Sequence, residues 1–132
     1  METKFLGDLI IGEFELDQNP DWYFVFGDNV LRRGMGGAAA LRYHPRTIGF
    51  ITKKEPNNQD SSFYRPEEYR EVFEKELAIL RQRIIDEPHN IFMISKLGGG
   101  LANRYKIWEQ VIKDGLEKGL TIFDNVVFLW KR

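Results

Sequence analysis

Hydrophobic positions along this chain change their period from one segment to the next. Trp22-Tyr23-Phe24-Val25-Phe26 is an unbroken apolar run behind the turn signal Asn19-Pro20-Asp21, which predicts a strand over 22–27 that is buried on both faces. Thr47–Thr52, Ile91–Ser95 and Asn125–Trp130 read as three further strands. Between them the period lengthens. Tyr69, Phe73, Leu77, Leu80 and Ile84 recur at four, four, three and four residues and define one helix face. Pro66 is a favoured first-turn residue, Glu67 and Glu68 suit the positive end of that helix, and Pro88 closes the segment. Trp108, Val111, Ile112 and Leu116 mark the next helical face.

The pattern is less distinct elsewhere. Residues 4–11 suit a first strand, while Ile10–Leu16 equally suits a short helix. Gly37–Arg42 is small and alanine-rich, as in a helix that lies close on a sheet, and His44-Pro45 ends it. Lys53–Arg65 is polar and lacks a period. Strands separated by helices predict an α/β fold: one domain over 1–132, with a mixed, mainly parallel sheet flanked by helices on both faces.

Composition narrows the function classes. The 132 residues carry 19 basic and 20 acidic side chains, a balance that does not suggest general nucleic-acid binding or attachment to an anionic membrane. No apolar run approaches the ~20 residues that span a bilayer, and no signal-peptide pattern opens the chain. With no cysteine, disulfides, thiolate zinc sites and a cysteine nucleophile are excluded, and a cytoplasmic location is expected. His44 and His89 are the two histidines; both lie beside prolines at element ends, and no metal site is expected.

Half of the twelve glycines fall in two clusters, Gly34, Gly36 and Gly37 after the strand 22–27, and Gly98, Gly99 and Gly100 after Ile91–Ser95. Glycine-rich loops beyond strand ends present backbone N–H groups to phosphate. Two of them predict a site for a diphosphate or sugar phosphate. Gly34-Met35-Gly36-Gly37-Ala38-Ala39 matches the dinucleotide fingerprint in letters, but six residues part it from the strand, where that fingerprint needs a tight turn. No glycine precedes Lys-Ser or Lys-Thr at the spacing of a Walker A loop.

Taken in order, Gly7-Asp8-Leu9, Asp28-Asn29, the first glycine cluster, Phe50-Ile51-Thr52-Lys53-Lys54 and Ile94-Ser95-Lys96-Leu97-Gly98-Gly99-Gly100-Leu101-Ala102 with Trp108 resemble the motifs of macrodomains. The likeness is to the branch that removes terminal ADP-ribose from proteins, and it spans residues 6–130. The stretch from Phe26 to Ala39 also resembles a small macro-like group of bacteria and their viruses, which supplies no reaction. The resemblance implies a macrodomain-like fold and binding of ADP-ribose or a related nucleotide, free or on an ADP-ribosylated protein, with hydrolysis of an ADP-ribosyl bond and no cofactor. It implies Asp8 at the adenine, Asn29 at a ribose, Gly34, Gly36, Gly37, Gly98, Gly99, Gly100 and Leu101 around the phosphates, and Lys53 as nucleophile.

One departure bears on catalysis. The family carries an aspartate after the residue matching Leu101, where this chain has Ala102 and then Asn103. Neither can act as a general base at pH 7. Asp28 is the candidate replacement carboxylate; it equally suits a turn with Asn29. A non-catalytic reader of ADP-ribose or another nucleotide is therefore the alternative. Arg32 and Arg33 suit phosphate or solvent, and Tyr64 and Tyr105 suit stacking or packing.

Overall fold

The computed structural model describes residues 3–7 and 9–131. Five strands, β1 (Lys4–Phe5), β2 (Trp22–Asn29), β3 (Thr47–Lys53), β4 (Ile91–Ile94) and β5 (Val126–Phe128), form one sheet in the order β1-β5-β4-β2-β3. Every strand-to-strand pairing is parallel, with one isolated antiparallel bridge between Lys53 and Phe63, so the expected α/β fold is present without an antiparallel strand among the described residues. Trp22–Val25 of β2 pairs with Ile91–Ile94 of β4, and Phe24–Asp28 pairs with Thr47–Ile51 of β3.

The unbroken apolar runs are explained by this placement, because alternate side chains enter different cores. Val25, Phe92, Ile94, Val126 and Phe128 join the larger core under α2 (Pro66–Asp86) and α3 (Lys113–Leu120). Met93 and Val127 point to the other face, where Leu16 of α1 (Glu13–Gln18) and Ile11 cover them. Helices thus lie on both faces, one layer much thicker than the other.

The helix from Pro66 forms as expected, and Glu68 Oε1 accepts from the Arg65 N–H 3.1 Å away at its start. Its inward stripe runs Tyr69, Phe73, Glu76, Leu80 and Ile84, with Glu76 rather than Leu77 in the row. Glu76 Oε1 accepts from the Ile51 N–H at 2.7 Å, and Tyr69 donates its hydroxyl to Ile51 O at 2.5 Å. Two side chains of α2 thereby satisfy the outer edge of β3, which has no further strand beside it. The helical face at Trp108 begins as a π-helical turn, Trp108–Ile112, before α3.

Several boundaries differ from the sequence reading. The first strand is cut to two residues, with Gly7 in the left-handed region at φ 59°, and α1 starts only after Gly12. The helix expected over Gly37–Arg42 is a single 3-10 turn, Gly37–Ala39, followed by turns. The side chain of Arg42 is drawn back across that loop to Asp28. β2 runs two residues past the expected 27, because its pairing with β3 continues to Asn29 and Lys53 after a register shift. β5 stops at Phe128. No helix among the described residues is long and apolar enough to cross a membrane.

Candidate functional site

Strand order positions the site. From β2 the chain moves outward to β3, whereas from β4 it moves the other way, to β5. Loops leaving the carboxyl ends of β2 and β4 therefore diverge, which opens a crevice between them, the usual ligand position in a parallel α/β sheet. A cleft of about 500 Å3 occupies it, within the ~300–1,000 Å3 of small-molecule sites.

Both glycine loops line this cleft. Gly34, Gly36 and Gly37 come from the β2 side and Gly98, Gly100, Leu101 and Ala102 from the β4 side. Asp28 and Asn29 close β2, and Thr52 and Lys53 close β3. Gly99 is not part of the lining; a Cβ there would lie 2.6 Å from Lys96 Cγ. Asp8 lies outside the described residues. Tyr64 is core, packed against Tyr69 with the rings tilted at 48° and their centroids 5.2 Å apart. Tyr105 bonds Asp60 at the surface instead of lining the cleft.

Residues of both loops carry backbone donors without an acceptor: the N–H groups of Gly34, Gly36, Gly98 and Gly100 donate to no carbonyl or side chain among the described residues. Arg33, Lys53 and Lys96 add positive charge to the lining. Its one carboxylate, Asp28, is already neutralised. Asp28 Oδ1 accepts from Arg42 Nη2 at 2.5 Å and from the Asn29 N–H at 2.8 Å; Oδ2 accepts from Arg42 Nη1 at 3.0 Å and Arg32 Nη1 at 3.2 Å. Burial alone would raise the pKa of this carboxyl, but those donors outweigh burial and hold it below the usual aspartate value. A carboxylate so engaged organises the loop and is a poor proton acceptor.

Asn29 is 6% exposed. Its Nδ2 donates to Arg33 O at 2.8 Å, while Oδ1 is buried with no hydrogen-bond partner among the described residues. Leaving such an acceptor unmet costs ~1–3 kcal/mol, so its presence beside a cleft marks a place for a donor. Lys53 donates from Nζ to Asn57 O at 2.8 Å, and Nζ stands 4.8 Å from the Phe63 ring centre. Burial, with Arg104 nearby, lowers its pKa from the usual lysine value.

Ala102 occupies the place of the expected aspartate in the lining, and Asn103 turns elsewhere. Asn103 Oδ1 accepts from the Trp108 N–H at 3.0 Å, and its Nδ2 donates to Glu109 at 2.8 Å, which starts the next helical segment. The site also includes residues that sequence reasoning did not assign to it, Pro56 and Asn58 on its rim among them. Thr52, Ser95 and Lys96 line the cleft, and Arg42 ties its first loop together. Lys96 and Ser95 had a signal in their position just before the second glycine cluster; Arg42 had none. Among the described residues, no group of three His, Asp or Glu side chains could hold a metal ion.

Fold and cleft together define a parallel α/β protein with a donor-rich crevice at the carboxyl edge of its sheet. The chain belongs to the family of unknown function DUF7831, whose model matches residues 9–103. That span contains every residue of the cleft lining. No curated protein and no solved structure matches the chain.

Proposed function

We propose that the cleft binds ADP-ribose or a closely related nucleotide diphosphate sugar, in a cytoplasmic protein. The observation that carries this reading is the buried, unpartnered Oδ1 of Asn29, a residue that lines a cleft otherwise rich in donors. A sugar hydroxyl supplies the donor that Oδ1 lacks, and phosphate oxygens accept from the N–H groups of both loops and from the rim cations. The resemblance of the motifs to those of macrodomains supports the same ligand. Free nucleotide and an ADP-ribosyl group on a modified protein share this chemistry.

Gly36 offers a clean test. Its backbone is extended, at φ −87° and ψ 154°, and a Cβ there would meet nothing within 4 Å. Gly36→Val therefore adds bulk to the cleft lining while keeping the fold. Titration calorimetry against ADP-ribose, NAD and AMP is expected to show ADP-ribose binding by the parent. The variant should lose at least about tenfold in affinity, ~1.4 kcal/mol. Equal affinity of the two proteins, or no binding by the parent, rejects this ligand assignment.

A second reading, hydrolysis of an ADP-ribosyl bond, is favoured by Lys53. Its lowered pKa is the direction a nucleophilic amine requires. A base to resolve the resulting adduct is not in place, because Ala102 carries no carboxylate and Asp28 is held by two arginines. Binding is accordingly the conclusion. Release of ADP-ribose from modified protein, measured for the parent, Lys53→Ala and Ala102→Asp, separates the two. Release by the parent that Lys53→Ala abolishes would establish the enzyme; binding without release by all three leaves the reader.

A further inference from the structure

We propose that Arg42 is a positioning residue that holds the first glycine loop and the Asn29 amide in the arrangement the cleft needs to bind its ligand, a role that rests on the binding reading above. Arg42 is not part of the lining and reaches the loop from behind. Its guanidinium makes four hydrogen bonds: two to Asp28, one from Nε to Gly34 O at 2.8 Å and one from Nη2 to Arg33 O at 3.1 Å. The Phe26 ring backs it, 5.3 Å from Cζ to the centroid.

Peptide geometry turns these contacts into a direction. In a trans peptide the C=O and the next N–H point opposite ways, and no cis bond occurs among the described residues. Drawing the carbonyls of Arg33 and Gly34 toward Arg42 therefore turns the N–H groups of Gly34 and Met35 away from it. Neither N–H meets an acceptor among the described residues.

Asn29 is oriented by the same clamp. Arg33 O can only accept, so the Asn29 group facing it at 2.8 Å is the NH2, and Oδ1 is the atom left over. Asp28 Oδ1 also holds the Asn29 N–H, which fixes the backbone that carries the amide. One planar fork thus fixes two N–H groups that point away from it and a buried amide whose Oδ1 is left without a donor. A lysine ammonium keeps the charge but lacks the fork.

The test uses Arg42→Lys, Asn29→Ala and the double variant, each titrated with ADP-ribose, and amide NMR of the ligand-free proteins. Arg42→Lys is expected to weaken ADP-ribose binding by about tenfold. Because Asn29 is one of the groups that Arg42 positions, Arg42→Lys should weaken binding less in the Asn29→Ala protein than in the parent, a non-additivity that a general loss of stability would not produce. Without ligand, the Gly34 and Met35 amides and the Asn29 side-chain amide should shift and exchange faster. Additive losses, an Arg42→Lys affinity within about twofold of the parent, or unchanged resonances would overturn the proposal. Should the parent not bind ADP-ribose, the ligand reading falls while the ligand-free spectra still decide the role of Arg42. If Arg42→Lys does not fold, Asp28→Asn removes the carboxylate that holds the fork and takes its place in the same measurements.

Discussion

Gly34 and Gly98 both adopt left-handed backbone, at φ 91° and 72°, on facing sides of one cleft, yet their surroundings differ. A Cβ on Gly34 would meet only Pro56 Cβ at 3.4 Å, whereas on Gly98 it would strike Ile112 Cδ1 at 2.7 Å and Ile107 Cδ1 at 3.3 Å. Both isoleucines are fully buried. The second loop is anchored in the core at both ends, by Leu97, at 1% exposure, with Gly98, and by Ala102, at 7%, while Gly100 and Leu101 between them are exposed. The first is exposed from Val30 to Ala38 and hangs on Arg42, Asp28 and Arg32. One wall of the cleft is therefore fixed by packing and the other by charge. Packing tolerates little change, while an ionic clamp can be loosened without disturbing the core.

The largest effect should come from the packed wall. Gly98→Val combines a left-handed backbone that a β-branched residue resists with overpacking of a closed core, and is expected to cost about 3 kcal/mol or more. Urea unfolding measures it; a loss below about 1 kcal/mol would show that this wall is not set by packing. The charged wall is tested by Gly49→Ala. A Cβ at Gly49 would stand 2.2 Å from Asp28 Oδ2 and 2.9 Å from Arg32 Nη1, so the carboxylate must move off its partners. A smaller loss, about 1–2 kcal/mol, is expected, with the Gly34 and Met35 amides perturbed while those of Gly98 and Gly100 stay in place. Perturbation of both loops alike would break the distinction.

Much of the packed half was legible in the chain. Unbroken apolar runs announce strands buried on both faces, and Pro66 with a regular apolar stripe announces α2. The glycine clusters also marked the two loops of the cleft. What stayed hidden depends on contacts across irregular backbone. Asp28 and Arg42 are 14 residues apart with no period linking them, so the pair emerges only when the loop folds back. Gly49, inside an ordinary strand pattern, gains its meaning from the carboxylate packed over it. Glu76 sits beside Leu77, and spacing alone favoured the leucine, because the free edge of β3 that needs an acceptor is a tertiary feature. The helix expected over Gly37–Arg42 failed for a related reason: propensity favoured it, and the tether from Arg42 to Asp28 prevailed.

The smallest expected effect is the acid response of the charged wall. Asp28 has a folded-state pKa below its unfolded value near 3.8. Its ionic contribution is therefore fully present above that unfolded value and is lost as pH falls through the folded one. One carboxyl changes the stability slope by at most ~1.4 kcal/mol per pH unit. Asp28→Asn removes this titration and leaves Arg42 without its carboxylate, so the variant should be less stable than the parent at pH 7. As pH falls below about 4 the parent loses the advantage, and the two stability curves should converge. The second loop has no buried carboxylate to lose, and amide exchange at Gly98 should follow global stability in both proteins. Parallel curves down to pH 3 would mean that Asp28 does not carry the first loop through its charge, and the contrast between the two walls would then rest on packing alone.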